Sequence, residues 1–120
     1  MPFVSVVTPF YNTAEYLAEC IESVLRQHHA NFEYLLADNC STDGSLAIAQ
    51  RYAAQDARIR VISHAAFFDQ DANYNRALGY ISGASRYVKI AQADDVLMPN
   101  CLTEMVRLAE ANPSIGIVGC

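Results

Sequence analysis

The segment "YVKIAQADDVLMP" sets Asp94 and Asp95 side by side at the end of an apolar, β-prone run. Like charges in contact repel, and partial burial strengthens the repulsion. A bound cation resolves the conflict, and so does full exposure to water. Carboxylate oxygens suit Mg2+ or Mn2+, which take one or two carboxylates from a protein and share the remaining positions with phosphates. The structural alternative is a solvated turn, with Asp95 capping the helix that begins at Pro99.

Two further turns hold residue types that recognise ligands. Tyr11 follows the run "VSVVTPF", where its ring can stack on a base or simply close the core. Asp38 and Asn39 end the run "FEYLLAD". A carboxylate or amide there accepts a base imino proton or a ribose hydroxyl, although both residues also end strands and cap turns. In "STDG", Ser41 or Thr42 is expected to cap the following helix, and Asp43 suits that helix's positive end. His28 and His29 read as the C-terminal end of a first helix, where positive charge is favoured. His64 reads as a loop residue after the third strand.

Alternating patterns supply the elements that position these turns. Residues 3–10, 32–38, 58–63, 86–92 and 114–119 read as strands. Helical periodicity covers residues 13–29 with Thr13 as N-cap, then 45–55, then 73 to about 83, and finally 99–112. Residues 64–72 read as a loop. Near-continuous apolar strands alternating with amphipathic helices imply an α/β fold, a mostly parallel sheet with helices on both faces. In such sheets ligands bind at the carboxyl ends of the strands. The turns bearing Tyr11, Asp38 and Asp94 all fall at that edge. No G-x-G-x-x-G follows the first strand and no G-x-x-x-x-G-K-[ST] occurs, so neither the dinucleotide fingerprint nor the P-loop is present.

A chain of 120 residues with 52% apolar composition suits one domain with a real core. Its net charge of −5 and lack of a basic tract argue against a nucleic-acid backbone partner. A nucleotide held through a metal remains compatible with that charge. Cys20, Cys40, Cys101 and Cys120 are widely and irregularly spaced, which argues against a zinc site or a disulfide framework. They read as reduced thiols of a cytoplasmic protein, the inner membrane surface included. Neither a signal peptide nor a run of about 20 apolar residues is visible.

The segments "VSVVTPFYNTAEYLAECIESVLRQ", "FEYLLADNCSTDGS" and "IAQADDVLMPNCL" resemble the N-terminal nucleotide-sugar-binding half of the inverting family 2 glycosyltransferases. The resemblance runs over essentially the whole chain and rests on several motifs in order. It implies a Rossmann-like glycosyltransferase A-type fold. It also implies inverting transfer of a sugar from a nucleoside diphosphate sugar, a UDP-sugar being expected, with Mn2+ or Mg2+. By this resemblance Pro9 and Tyr11 line the base pocket, and Glu15 lies near the ribose. Asp38 and Asn39 hold base and ribose. Asp94 is the last carboxylate of a D-x-D motif and meets the metal, and Asp95 follows it. Asn75 and Arg76 approach the diphosphate.

The chain departs from the family pattern in several places. Asn39 replaces a second aspartate, Cys40 stands where glycine is common, and Gln92 stands where the first aspartate of D-x-D is expected. The family's catalytic domain is considerably longer, and its acceptor site and general base lie in the half this chain lacks. No carboxylate here is a candidate for that base. The expectation is therefore a donor-binding half-domain, with an exposed final strand open to self-association. A non-catalytic nucleotide-binding module and a ligand-free α/β domain are the competing readings.

Overall fold

The computed structural model describes residues 2–63 and 69–112. Four strands, β1 (Val4–Phe10), β2 (Phe32–Asp38), β3 (Ile59–Ser63) and β4 (Tyr87–Ile90), form an all-parallel sheet in the order β3-β2-β1-β4. Every residue of β1 is buried, as expected of a central strand covered on both faces. Strand alternation divides its side chains. Val4, Val6 and Phe10, with Phe32, Tyr34 and Leu36, face one way. They meet Leu17, Ile21 and Val24 of α1 (Leu17–Leu25), Ala49 of α2 (Ser45–Gln55) and Leu102 of α4 (Cys101–Ala111). Val7, Leu35 and Ala37 face the other way and meet Ala77 of α3 (Gln70–Leu78). Leu17, Ile21 and Val24 are fully buried, and burial of each contributes about 1.5–3 kcal/mol.

The strand order explains this division of helices. The chain steps outward from β1 through β2 to β3, then returns through α3 to the opposite side of β1. Right-handed crossovers in opposite directions put their helices on opposite faces. The reversal falls between β1 and β4, and the carboxyl ends flanking such a reversal form the ligand crevice of open α/β sheets.

Several element ends differ from the sequence expectation. Thr13 does not cap α1, which starts at Leu17 after Tyr16, with no side-chain cap. The Thr13 amide instead donates to Ser45 Oγ at 2.8 Å, and its carbonyl accepts from Tyr16 and Leu17 in a preliminary turn. The histidines do not lie at the end of α1, which stops at Leu25. His29 is buried with Nε2 on the Pro2 carbonyl, and the His28 amide donates to the Pro99 carbonyl. Neither Ser41 nor Thr42 caps α2, whose N-cap is Gly44. The third helix lies earlier than expected, because Asp69 accepts from the Ala72 amide and starts α3 at Gln70. It stops at Leu78, and residues 79–85 form turns. α4 begins at Cys101 rather than Pro99. His64 and the expected strand 114–119 lie outside the described residues.

Candidate nucleotide-binding site

The turns after β1 and β2 are built as one unit. The Asn39 amide donates to the Phe10 carbonyl at 2.9 Å, which extends the ladder past Asp38. Asp38 and Asn39 are buried, and Asp38 Oδ1 accepts from the Ser41 amide at 3.1 Å. Asn12, in the left-handed region at φ 49°, reaches across. Its Oδ1 accepts from the Thr42 amide at 2.7 Å and the Asp43 amide at 3.2 Å, while its own amide donates to Ser41 Oγ. Asp43 accepts from Ser45 Oγ and from the Ser45 and Ala14 amides. These bonds, the Ser45 hydroxyl foremost, hold its carboxyl below the usual range. Tyr11 rides on this platform 46% exposed, so it does not close the core.

Pro9 is tolerated in a central strand for a geometric reason. The Val7 carbonyl accepts from the Ala91 amide, so Pro9, two residues on, turns its missing N–H toward the β4 side. β4 pairs only as far as Ile90, opposite Val7, so the ladder on that side has already ended.

Beyond β4 the chain forms a turn in which the Asp95 amide donates to the Gln92 carbonyl at 3.0 Å. Ala91 and Ala93 are buried, whereas Gln92, Asp94 and Asp95 are exposed. Water therefore hydrates the adjacent carboxylates, and no ion pair involves them among the described residues. The Gln92 carbonyl also accepts from the Cys20 thiol at 3.2 Å. Behind Cys20, Tyr34 and Thr8 share a 2.7 Å hydroxyl contact. Burial pushes the Cys20 thiol up despite these hydroxyl contacts, and the charges of Asp95 and Asp94 push it further. Burial likewise raises Tyr34. Both groups stay protonated at neutral pH and serve as hydrogen-bond partners.

The sheet brings Tyr11, Asp38, Asn39, Asp94 and Asp95 to one edge. Adjacent strands lie about 4.8 Å apart, so three strand ends span roughly 10 Å. Glu15 is exposed in the turn leading to α1, while on α3 Asn75 is exposed and Arg76 half-buried. No group of three or more His, Cys, Asp or Glu side chains that could hold a metal occurs among the described residues. Two exposed carboxylates fit a hard divalent ion that completes its shell with phosphate oxygens and do not fit an all-protein cage. Sequence reasoning missed Asn12, whose residue type tolerates positive φ. It also missed Asn73, buried on α3 with its Oδ1 unpartnered among the described residues.

The chain matches the model of glycosyl transferase family 2 over residues 5–120. It is 40% identical over 119 residues to the protein y4gI of Sinorhizobium fredii, covering 98% of this chain and 13% of that one. It is 31% identical to the glycosyltransferase GlyG of Streptococcus pneumoniae, covering 97% of this chain and 38% of GlyG. The chain thus spans well under half the length of either relative. Among solved structures, the mannosyltransferase PcManGT of Pyrobaculum calidifontis, in complex with GDP-Man and Mn2+, superimposes with a TM-score of 0.87. That match has 25% identity and covers 98% of this chain and 34% of PcManGT. S. aureus TarS residues 1–349, in complex with UDP, shares the fold with a TM-score of 0.83 at 23% identity, covering 100% of this chain and 38% of that one. With a parallel sheet of this order and a family match across nearly its whole length, the chain belongs to glycosyl transferase family 2.

Proposed function

We propose that these 120 residues bind the nucleoside diphosphate sugar of a metal-assisted, inverting glycosyltransferase. The observation that carries this reading is the gathering of exposed Tyr11, buried Asp38 and Asn39, and exposed Asp94 and Asp95 at one edge beside the β1/β4 reversal. PcManGT, similar in fold and bound to GDP-Man and Mn2+, supports it. Tyr11 stacks on the base. Asp38 and Asn39 accept from base and ribose donors, the Asn39 oxygen suiting a uracil imino group. Pro9 and Glu15 flank base and ribose. Asp94, with Asp95, would hold Mn2+ or Mg2+, which when bound would supply positive charge to offset that of the nucleoside diphosphate.

The acceptor site and the general base that deprotonates the acceptor hydroxyl are assigned to a further portion of a longer chain. UDP is the expected nucleotide, and the cytoplasm, the inner membrane surface included, is the expected location. No helix of the described residues is long and apolar enough to cross a membrane. Asn39 and Gln92, which replace carboxylates, favour a second reading, a nucleotide-binding module without turnover. Sugar transfer by a chain that includes the further portion separates the two.

Thermal melting tests the donor reading. UDP with Mn2+ is expected to raise Tm more than either alone, with GDP as the comparison nucleotide. At about 100 Kd, binding adds about 2.7 kcal/mol, a shift of several degrees in a domain of this size. Asp94→Asn is expected to abolish the metal-dependent part, and Tyr11→Ala to weaken the nucleotide part while sparing the metal's own effect. An equal shift in wild type and Asp94→Asn would reduce Asp94 to a turn residue.

A further inference from the structure

α1 carries buried polar side chains where an amphipathic helix ordinarily buries apolar ones. Cys20 and Ser23 lie on it, and Gln27 lies just past its end at the next position of the same stripe. Beside them Leu17, Ile21 and Val24 pack on the sheet. The polar stripe is directed at the backbone of residues 92–102, which comprises most of the link from β4 to α4 and the first two residues of α4. The Cys20 thiol donates to the Gln92 carbonyl, the same oxygen that closes the Asp95 turn. Ser23 Oγ accepts from the Leu97 amide at 3.0 Å and donates to the Cys20 carbonyl at 2.7 Å. Gln27 Nε2 donates to the Met98 carbonyl at 2.7 Å, and its Oε1 accepts from the Leu102 amide at 2.9 Å. The His28 amide donates to the Pro99 carbonyl at 2.8 Å.

We infer that Cys20, Ser23 and Gln27 are positioning residues that hold residues 92–102 in the shape that presents Asp94 and Asp95 together. The inference rests on the donor-site reading above. Residues 91–100 belong to no helix or strand. A free segment carrying adjacent carboxylates spreads its charges, and a ligand that gathers them must supply the ordering free energy. The stripe meets that requirement before any ligand arrives. Because the stripe bonds mainly to backbone atoms, it fixes the segment's path without needing particular side chains in "VLMP".

The test compares Ser23→Ala and Gln27→Met, which remove rungs, with Val24→Ala, which cuts core packing on the same helix and leaves the rungs. Mn2+ affinity in the presence of UDP is read by electron paramagnetic resonance, and UDP affinity without metal by calorimetry. The expected result is about a tenfold loss of Mn2+ affinity in each rung variant, the scale typical of outer-shell partners of metal ligands. Metal-free UDP affinity stays unchanged, and Val24→Ala changes neither. Cys20→Ser, which keeps a donor, retains more Mn2+ affinity than Cys20→Ala. Rung variants indistinguishable from Val24→Ala would overturn the inference and leave the donor reading standing. Wild type without Mn2+-dependent UDP binding would overturn both. Should a rung variant fail to fold, wild-type amide exchange decides. Leu97 and Leu102 amides protected without metal support the ladder, and protection that arises only with metal overturns it.

Discussion

Cys40 sits at φ 61°, in the left-handed region that a side chain with a Cβ adopts at a cost of about 1–2 kcal/mol. Glycine is free of that penalty but loses more chain entropy on folding, so the net gain from Cys40→Gly is about 0.5–1 kcal/mol. Cys40→Gly is therefore expected to raise Tm by a few degrees, and Cys40→Val to lower it, as calorimetry of the two variants would show. The sequence showed Cys40 only as a departure from a glycine-bearing pattern; its backbone angle gives the departure a physical meaning. The placement of Tyr11, Asp38 and Asp94 at one sheet edge was legible because each lies at or just past the end of an apolar run. Asn12, Cys20, Ser23 and Gln27 were not, because their partners lie about 30 or 70 residues away and no local pattern records such a pairing. The like-charge pair was legible as a problem, while the support beneath it became visible only in three dimensions.

At the scale of elements, β2 and α2 have the boundaries expected from the sequence, since each is a continuous periodic run bounded by turn formers. α3 was misplaced because its start is set by the Asp69 side chain and not by apolar spacing. Asp69→Ala is expected to cost about 1 kcal/mol, read as a shift in the denaturation midpoint with an unchanged slope. The link from α2 to β3 has a pH signature. Asp56 accepts from Arg58 Nε and Nη2 at 3.1 and 2.9 Å and from the Arg58 amide at 3.0 Å. The Arg58 side-chain bonds, foremost, hold its carboxyl below the usual range. A carboxyl depressed in the folded state stabilises above its unfolded pKa of about 3.9, and that stability fades as pH falls through the lower folded value. Asp56→Asn is thus expected to melt earlier than wild type at pH 7, the gap closing as the pH falls below about 3.9.

For the whole molecule, the order β3-β2-β1-β4 places the proposed ligand edge beside β1, and among the described residues it leaves apolar side chains exposed on and beyond β4. β4 pairs with β1 alone among the described residues. Val88 on β4 is 43% exposed, and beyond it Val96 is 56% and Met98 70% exposed. Each adds exposed apolar surface to a chain that spans only 13% and 38% of the two relatives described above. Exposed apolar surface of this kind favours association between copies. The 120-residue chain studied alone is therefore expected to self-associate, its apparent mass in sedimentation rising with concentration. A charge placed in exposed apolar surface opposes such association, so Val88→Lys is expected to weaken it without lowering the UDP and Mn2+ response, because Val88 lies on β4 before the turn that carries Asp94 and Asp95. Met98→Gln is expected to weaken it as well if the exposed segment after the acidic turn takes part. A chain that remains monomeric at high concentration and melts in one cooperative step would show that the β4 side needs no cover. Loss of the UDP and Mn2+ response together with association in Val88→Lys would mean that the ligand site is completed between copies.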